Sequence, residues 1–486
     1  MALISHPPES EARDRPPLKR SLGLWMATAL VIGNMIGSGI FLLPASLAGE
    51  AGPISIVGLA FTGLGAMLLA FVFARLGRAL PRTGGPYAYA RKAFGDFVGF
   101  QTAWGYWIAA WAGNAAIAIA FVGYFGVFWN DLGTDNVLAA VVAVALIWLL
   151  TAVNVLGARE SGWVSTLTTV LKFVPLAAIG LIGLFYVSGD NLTPFAPVGD
   201  GFDWHINAAA TLALWAFIGL ESASVPAEEV KDPGKTIPRA TLLGTAATTV
   251  LYIVAMVAVM GVLSQTVLAK STAPFADAAD AMWGGSFLGL GWGKWIAIVA
   301  MASTLGCLNG WILLTARVPL AAADDGLFPK AFARVTGKGK TPVVGLVVSS
   351  FLATGLVFMN YNASLVDQFN QVILLATLTT LVPYAYSAAA QVYLWAHQRA
   401  AFTARVFWRD TIIATLAFAY SVWAIWGAGI EVIAKGFMLL LAGIPIYVWL
   451  TWKRKPEEPL TLPEEWATPN ETGATRTTIT IERTLR

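Results

Sequence analysis

Glu221, Lys172 and Asn114 each lie in a stretch otherwise apolar enough to sit in a bilayer. An ionisable side chain at membrane depth is a functional-site expectation by default. Glu221, in LWAFIGLESASV, can take up a proton or pair with a cationic ligand. Its plainer role is a structural ion pair. Lys172, in TLTTVLKFVPLAAIG, can stand as a fixed or titrating cation that bridges backbone carbonyls of a neighbouring helix. Alternatively, it snorkels to the nearer interface. Asn114 shares a helical face with Tyr106, Ala109, Ala110 and Ile117. Small residues beside an amide make a roomy wall that can hydrogen-bond, or else a plain helix contact. Trp215 and Trp311 offer aromatic faces that suit a cation, although in a chain with 20 Trp either can simply pack. The chemistry on offer is recognition of a small charged molecule, with proton exchange beside it.

Metal and nucleotide chemistry are not expected. The only histidines are His6, His205 and His397, all in tails or loops of the topology below, so no haem or metal ligand set forms and no cofactor is implied. The run GKGKT at 337–341 resembles a phosphate loop, but Arg334 stands where its first Gly belongs. No channel filter motif or charged ring is visible.

Two interrupted segments must position these groups. Residues 28–44, TALVIGNMIGSGIFLLP, carry Gly33, Gly37 and Gly39, each costing about 1 kcal/mol in a helix interior. Open backbone at membrane depth is tolerated only when buried or lining a cavity. A break at Gly37-Ser38-Gly39 is therefore predicted, with the second half-helix aiming its N–H groups and positive dipole end at the gap. Such a gap suits a carboxylate. A second break is predicted at Gly219, next to Glu221, Ser222 and Ser224.

The chain has 486 residues, 57% hydrophobic and 12% charged, against about 25% charged in soluble domains. It reads as an all-α polytopic membrane protein. Apolar stretches of about 20 residues fall at 22–47, 54–75, 97–128, 137–156, 163–187, 207–230, 239–264, 286–316, 343–360, 368–396, 410–430 and 432–452, giving twelve spans. With the N-terminus inside, only Lys270, Lys294 and Lys435 of the 31 Lys and Arg fall outside, and Lys172 lies within a span. Both termini are thus expected in the cytoplasm. Segments 1–21 and 453–486 read as disordered tails. Pro81 and Gly84-Gly85-Pro86 preclude a long helix in the basic loop between spans 2 and 3, where Tyr87 and Tyr89 are expected at the interface. Breaks five spans apart imply an inverted repeat with its site at the midplane, with 22–187 and 207–396 as the repeats and 410–452 appended. The partners implied are a small amino acid or amine and the lipid bilayer. The net charge of +3 follows from the Lys/Arg placement and implies no nucleic acid.

The segments GNMIGSGIFLLPASLA, GGPYAYARKAFG, YWIAAWAGN, LWAFIGLESASV, AAADDGLFP and TLVPY together resemble the amino acid–polyamine–organocation superfamily. Within it the chain is most similar to the basic amino acid/polyamine antiporters, arginine/agmatine exchangers above all. The resemblance implies that Met35, Ser38 and Gly39 hold a substrate's carboxylate and amine, joined by Trp215 and Ile218. It implies that Ala109, Ala110, Asn114 and Ile117 surround the side chain while Trp311 stacks on it. Tyr106, Glu221 and Tyr384 match positions linked to gating and proton sensitivity. Ala376 departs from the arginine pattern, which has a serine there. Lys172 is instead similar to proton-coupled permeases of the wider superfamily. The implied function is exchange of an arginine-like amino acid for agmatine or another polyamine. Proton-coupled uptake of neutral or cationic amino acids is the alternative. A bacterial inner membrane and a homodimer are implied by resemblance alone.

Overall fold

A computed structural model describes residue 20 and residues 22–452, apart from 83, 157–161, 197–201, 337–340 and 360. The expected tails at 1–21 and 453–486 and most of the GKGKT run therefore lie outside the described residues, Arg20 excepted. The chain is helical almost throughout. The first apolar segment is split into α1 (Leu24–Met35) and α2 (Ser38–Glu50). Then come α3 (Ser55–Ala79), α4 (Pro86–Phe94), α5 (Asp96–Phe125), α6 (Asn136–Val155), α7 (Gly162–Gly183) and α8 (Phe202–Leu214). After α9 (Pro233–Val262), α10 (Gln265–Leu268) and α11 (Pro274–Trp283), a short hairpin pairs β1 (Ser286–Phe287) with β2 (Leu290–Gly291). The chain closes with α12 (Trp292–Asp324), α13 (Val343–Met359), α14 (Leu365–His397), α15 (Ala404–Gly427), α16 (Ile430–Leu441) and α17 (Gly443–Thr451).

Among the described residues, nine helices are long and apolar enough to cross a membrane. Three shorter apolar helices cover Lys172–Tyr186, His205–Phe217 and Val343–Met359. All fall within or across the segments marked by hydropathy. Four boundaries differ from expectation. The first break, expected at Gly37-Ser38-Gly39, opens at residues 36–37, and Ser38 and Gly39 already belong to α2. The eighth segment begins as the hairpin and turns helical only at Trp292, because Gly284, Gly285, Leu288 and Gly289 adopt positive φ. The last segment is interrupted at Ala442 between α16 and α17. The sixth stops being helical at Leu214 and does not resume as an α-helix before Pro233.

α5 is the central post, buried along nearly its whole length, with α12 and α14 packed on it. Helix contacts come in matched sets. α1 packs on α9 as α8 packs on α3, and α1 on α7 as α8 on α14. In the same way α7 meets α9 as α14 meets α3, and α5 meets α14 as α12 meets α7. The pairs α3–α9, α5–α12 and α6–α13 map onto themselves. Gly58, Gly63 and Gly65 let α3 lie close to α8, α9 and α15, as small residues do between membrane helices.

The loop after α3 holds α4, started by Pro86 at its first turn and stopped by Gly95 at φ 84°. Tyr87 and Tyr89, expected at the interface, are buried against other parts of the chain there. Arg91 reaches Asp325 at 2.6 Å and Asp96 at 2.8 Å, and the Tyr87 hydroxyl donates to Asp325 at 2.7 Å. Burial first, and the Asp325 charge second, raise that hydroxyl well above the ordinary phenol range. The loop helix is thereby clamped to the end of α12.

Candidate functional site

The first break is two residues wide. Its acceptor side, the C-terminal end of α1, is occupied. Lys172 Nζ donates to the Gly33 carbonyl at 3.4 Å, and the Tyr252 hydroxyl donates to the Met35 carbonyl at 2.6 Å. A cation near the last carbonyls of a helix opposes the negative end of its dipole. Its donor side is open. α2 starts after Gly37 with no side-chain cap. Among the described helix starts, Asp135, Ser364 and Thr403 cap α6, α14 and α15, whereas α2 shares its uncapped start with α1, α3, α5, α9 and α12. An uncapped helix start carries free N–H groups and partial positive charge.

The second break is longer. After Leu214 a 3-10 turn covers Trp215–Phe217, and hydrogen-bonded turns follow to Pro226. Glu221 is fully buried in this stretch and accepts three hydrogen bonds. Tyr106 donates from α5 at 2.6 Å, Tyr384 from α14 at 2.5 Å, and the Gly219 N–H at 3.2 Å. An ionised carboxylate is acceptor-only and satisfies all three donors. A protonated carboxyl would donate its own O–H, reversing the bond to one of the tyrosines.

The two breaks touch backbone to backbone. A Cβ on Gly39 would fall 2.7 Å from Ala216 Cα, and one on Gly219, at φ 111°, 3.1 Å from the Asn34 carbonyl carbon. Asn34 donates to Ser222 Oγ at 2.8 Å, and Trp215 Nε1 donates to Ser38 Oγ at 3.3 Å. Further out, Leu22 pairs with Val230 in a parallel bridge, its N–H on Glu229 O and its carbonyl receiving Lys231 N–H.

Beside this crossing Tyr106, Ala109, Gly113, Trp215, Ile218, Trp311 and Thr380 enclose a cavity of about 10 Å³, room for about one water. An organic ligand larger than a water needs the walls to move apart.

Residues 22–450 match the family described as amino acid permease. The chain belongs to that family. It is a multi-span membrane transporter. It is 37% identical over 377 residues to the cadaverine/lysine antiporter of Escherichia coli strain K12, covering 76% of this chain and 82% of that protein. It is 33% identical over 445 residues to the putrescine transporter PotE of Haemophilus influenzae, covering 89% and 97%. PotE of E. coli K12 is also 33% identical, over 431 residues, covering 88% and 95%.

In this permease, Tyr106, Ala109, Trp215, Ile218 and Trp311 meet around one cavity, while Met35 ends α1 and Ser38 and Gly39 begin α2 on the two sides of the adjoining break. Tyr384, Glu221 and Lys172 lie where a helix is interrupted or its end is held. Ala110, Asn114, Ile117 and Ala376 are buried but do not line the cavity. Asn114 donates to Thr315 at 3.1 Å, leaving its Oδ1 without a partner among the described residues. Two lining residues, Gly113 and Thr380, are absent from the sequence-based set. Gly113 follows Tyr106 and Ala109 at i+7 and i+4, and its bare Cα admits the Trp215 ring. Thr380 donates to the Ala376 carbonyl one turn earlier, at 2.8 Å.

Proposed function

We propose that this permease exchanges a cationic amino acid for its decarboxylated amine by alternating access. The observation that carries the reading is the crossing of the breaks. The uncapped start of α2 and the C-terminal end of α8 both lie there, with Trp215 beside them. A helix N-terminus favours a carboxylate and a helix C-terminus an ammonium, the two charges of an α-amino acid. Tyr106, Trp215 and Trp311 offer faces for a cationic tail. Met35, Ser38, Gly39, Trp215 and Ile218 are assigned to the main-chain groups, and Ala109, Ala110, Asn114, Ile117, Trp311 and Ala376 to the tail.

Within that class, lysine with cadaverine or ornithine with putrescine is favoured over arginine with agmatine. The relatives named for cadaverine, lysine and putrescine support it. So does Ala376, which removes a hydrogen bond worth about 0.5–1.5 kcal/mol to a guanidinium. A singly charged amino acid entering against a doubly charged amine moves one charge outward. A potential of 100 mV, negative inside, opposes this by about 2.3 kcal/mol, so the two concentration gradients drive exchange.

The matched helix contacts support two five-span repeats, α1–α7 and α8–α14, with α15–α17 appended. The twelve-span count, cytoplasmic termini and a bacterial inner membrane belong to the same proposal.

The deciding experiment is labelled lysine uptake into proteoliposomes, empty or preloaded with cadaverine, putrescine, agmatine, arginine or a neutral amino acid. Uptake only against an internal diamine is expected. Uptake into empty vesicles driven by an inward proton gradient would overturn exchange. It would favour the second reading, a proton-coupled permease, for which Lys172 on the Gly33 carbonyl speaks.

A further inference from the structure

Far from the broken segments, the last turns of α3 and α14 meet the first turns of α15. Asp410, 2% exposed, holds two arginines there. Arg409 Nη2 lies 2.8 Å from one oxygen and Arg75 Nε 3.4 Å from the other. Arg78, three residues beyond Arg75 on α3, neighbours it along the helix surface and is exposed. Arg405 precedes Arg409 by one helical turn and shares its face. Among the described residues, a single carboxylate pairs with this group. Arg75 and Arg409 are 31% and 48% exposed, so the excess positive charge reaches the surface.

Two donors in the same corner have no partner among the described residues. One is Trp395 Nε1, buried one turn beyond Gln391, whose amide donates to the Asp410 carbonyl at 3.0 Å. The other is Thr411 Oγ1, next in the chain to Asp410. Alongside, α15 turns Trp408, Ile412 and Leu416 outward at i, i+4 and i+8, each more than half exposed. In a membrane-spanning helix such a stripe faces acyl chains, and its Trp marks headgroup depth. Guanidiniums take phosphate oxygens in pairs, and basic pockets between helix ends hold anionic headgroups.

We propose that this corner binds an anionic phospholipid, with its phosphate on Arg78 and Arg409 and its acyl chains along Trp408, Ile412 and Leu416. The competing occupant is the chain's own acidic stretch at 457–465, which carries Glu457, Glu458, Glu464 and Glu465. The apolar stripe beside the arginines favours the lipid.

The test loads the full-length detergent-purified protein with phosphatidylglycerol or phosphatidylethanolamine and reads retained lipid by native mass spectrometry. Arg78→Gln and Arg409→Gln are compared with wild type, leaving the Arg75–Asp410 pair in place, and monodisperse elution confirms folding. Phosphatidylglycerol retention is expected to fall about fivefold per arginine removed, with phosphatidylethanolamine unaffected. Equal retention of the two lipids, or of phosphatidylglycerol in all three proteins, would overturn the proposal. A several-fold rise when the four glutamates become glutamine would overturn it in favour of the acidic stretch.

Discussion

The two interruptions do opposite things with the same problem, open backbone inside an apolar bundle. The first spans two residues, resumes as α2, and has its acceptor side held by Lys172 and Tyr252 while its donor side stays uncapped. The second runs from Trp215 to Pro226 without resuming an α-helix, and a buried carboxylate gathers donors from α5, α14 and its own turn. One keeps an uncapped helix start beside held carbonyls. The other is a buried run of turns tied to one carboxyl. A carrier that must bind and then move needs both, and here they share the contacts Gly39–Ala216 and Gly219–Asn34.

The largest expected effect is at that carboxyl. Glu221→Ala leaves two buried tyrosine hydroxyls and the Gly219 N–H without an acceptor, at about 1–3 kcal/mol each. Exchange in proteoliposomes should be lost and thermal stability lowered. Glu221→Gln keeps an acceptor and cannot ionise. Its exchange rate should become flat from about pH 5 to pH 8, whereas wild type should change as protonation reverses a bond to one tyrosine. An unchanged profile would remove Glu221 from proton coupling.

Next comes the crossing. Gly39→Val drives a side chain against the Ala216 backbone, and overpacking of this kind costs about 1–3 kcal/mol. Exchange should fall about tenfold or more with little change in expression. Wild-type rates would mean that the breaks do not need their close approach. At the first break, Lys172→Met keeps the stem and removes the charge on α1. A loss of about 0.3–2 kcal/mol is expected, read as a lowered melting temperature in detergent, with exchange retained if Lys172 is only a cap. The smallest effect is Asn34→Ala, which cuts one bond between the breaks for about 0.5–1.5 kcal/mol. Its melting shift should not add to that of Ser222→Ala, since both remove the same contact.

The first break was legible because three glycines and two polar residues weaken a continuous apolar helix, although it opens at residues 36–37 and leaves Ser38 and Gly39 in α2. The second was legible at Gly219 but not in length. Leu214 ends the helix because the turns beyond are held by distant groups, Tyr106 and Tyr384 among them, and no local window contains those. Tyr87 and Tyr89 look interfacial beside a basic loop. Tyr87 is held by Asp325, far along the chain, and Tyr89 lies against the bare Cα of Gly77 at the end of the preceding helix. Gly113 escaped because a glycine offers no chemistry to flag, and Thr380 because its hydroxyl has its own backbone to bond. Hydropathy found the eighth segment yet began it early, since the apolar hairpin scores like a span.

The Leu22–Val230 bridge fastens the start of one broken segment to the end of the other through main-chain atoms alone. Such a link tolerates drift, because almost any side chain at 22 or 231 preserves it. Only proline deletes the N–H on which each bond depends. A saturation library at these two positions should therefore lose the bridge itself only in the proline column, over and above the packing cost of replacing Leu22. Part of the coupling between the two halves of the carrier is thus written where comparison of side chains cannot detect it.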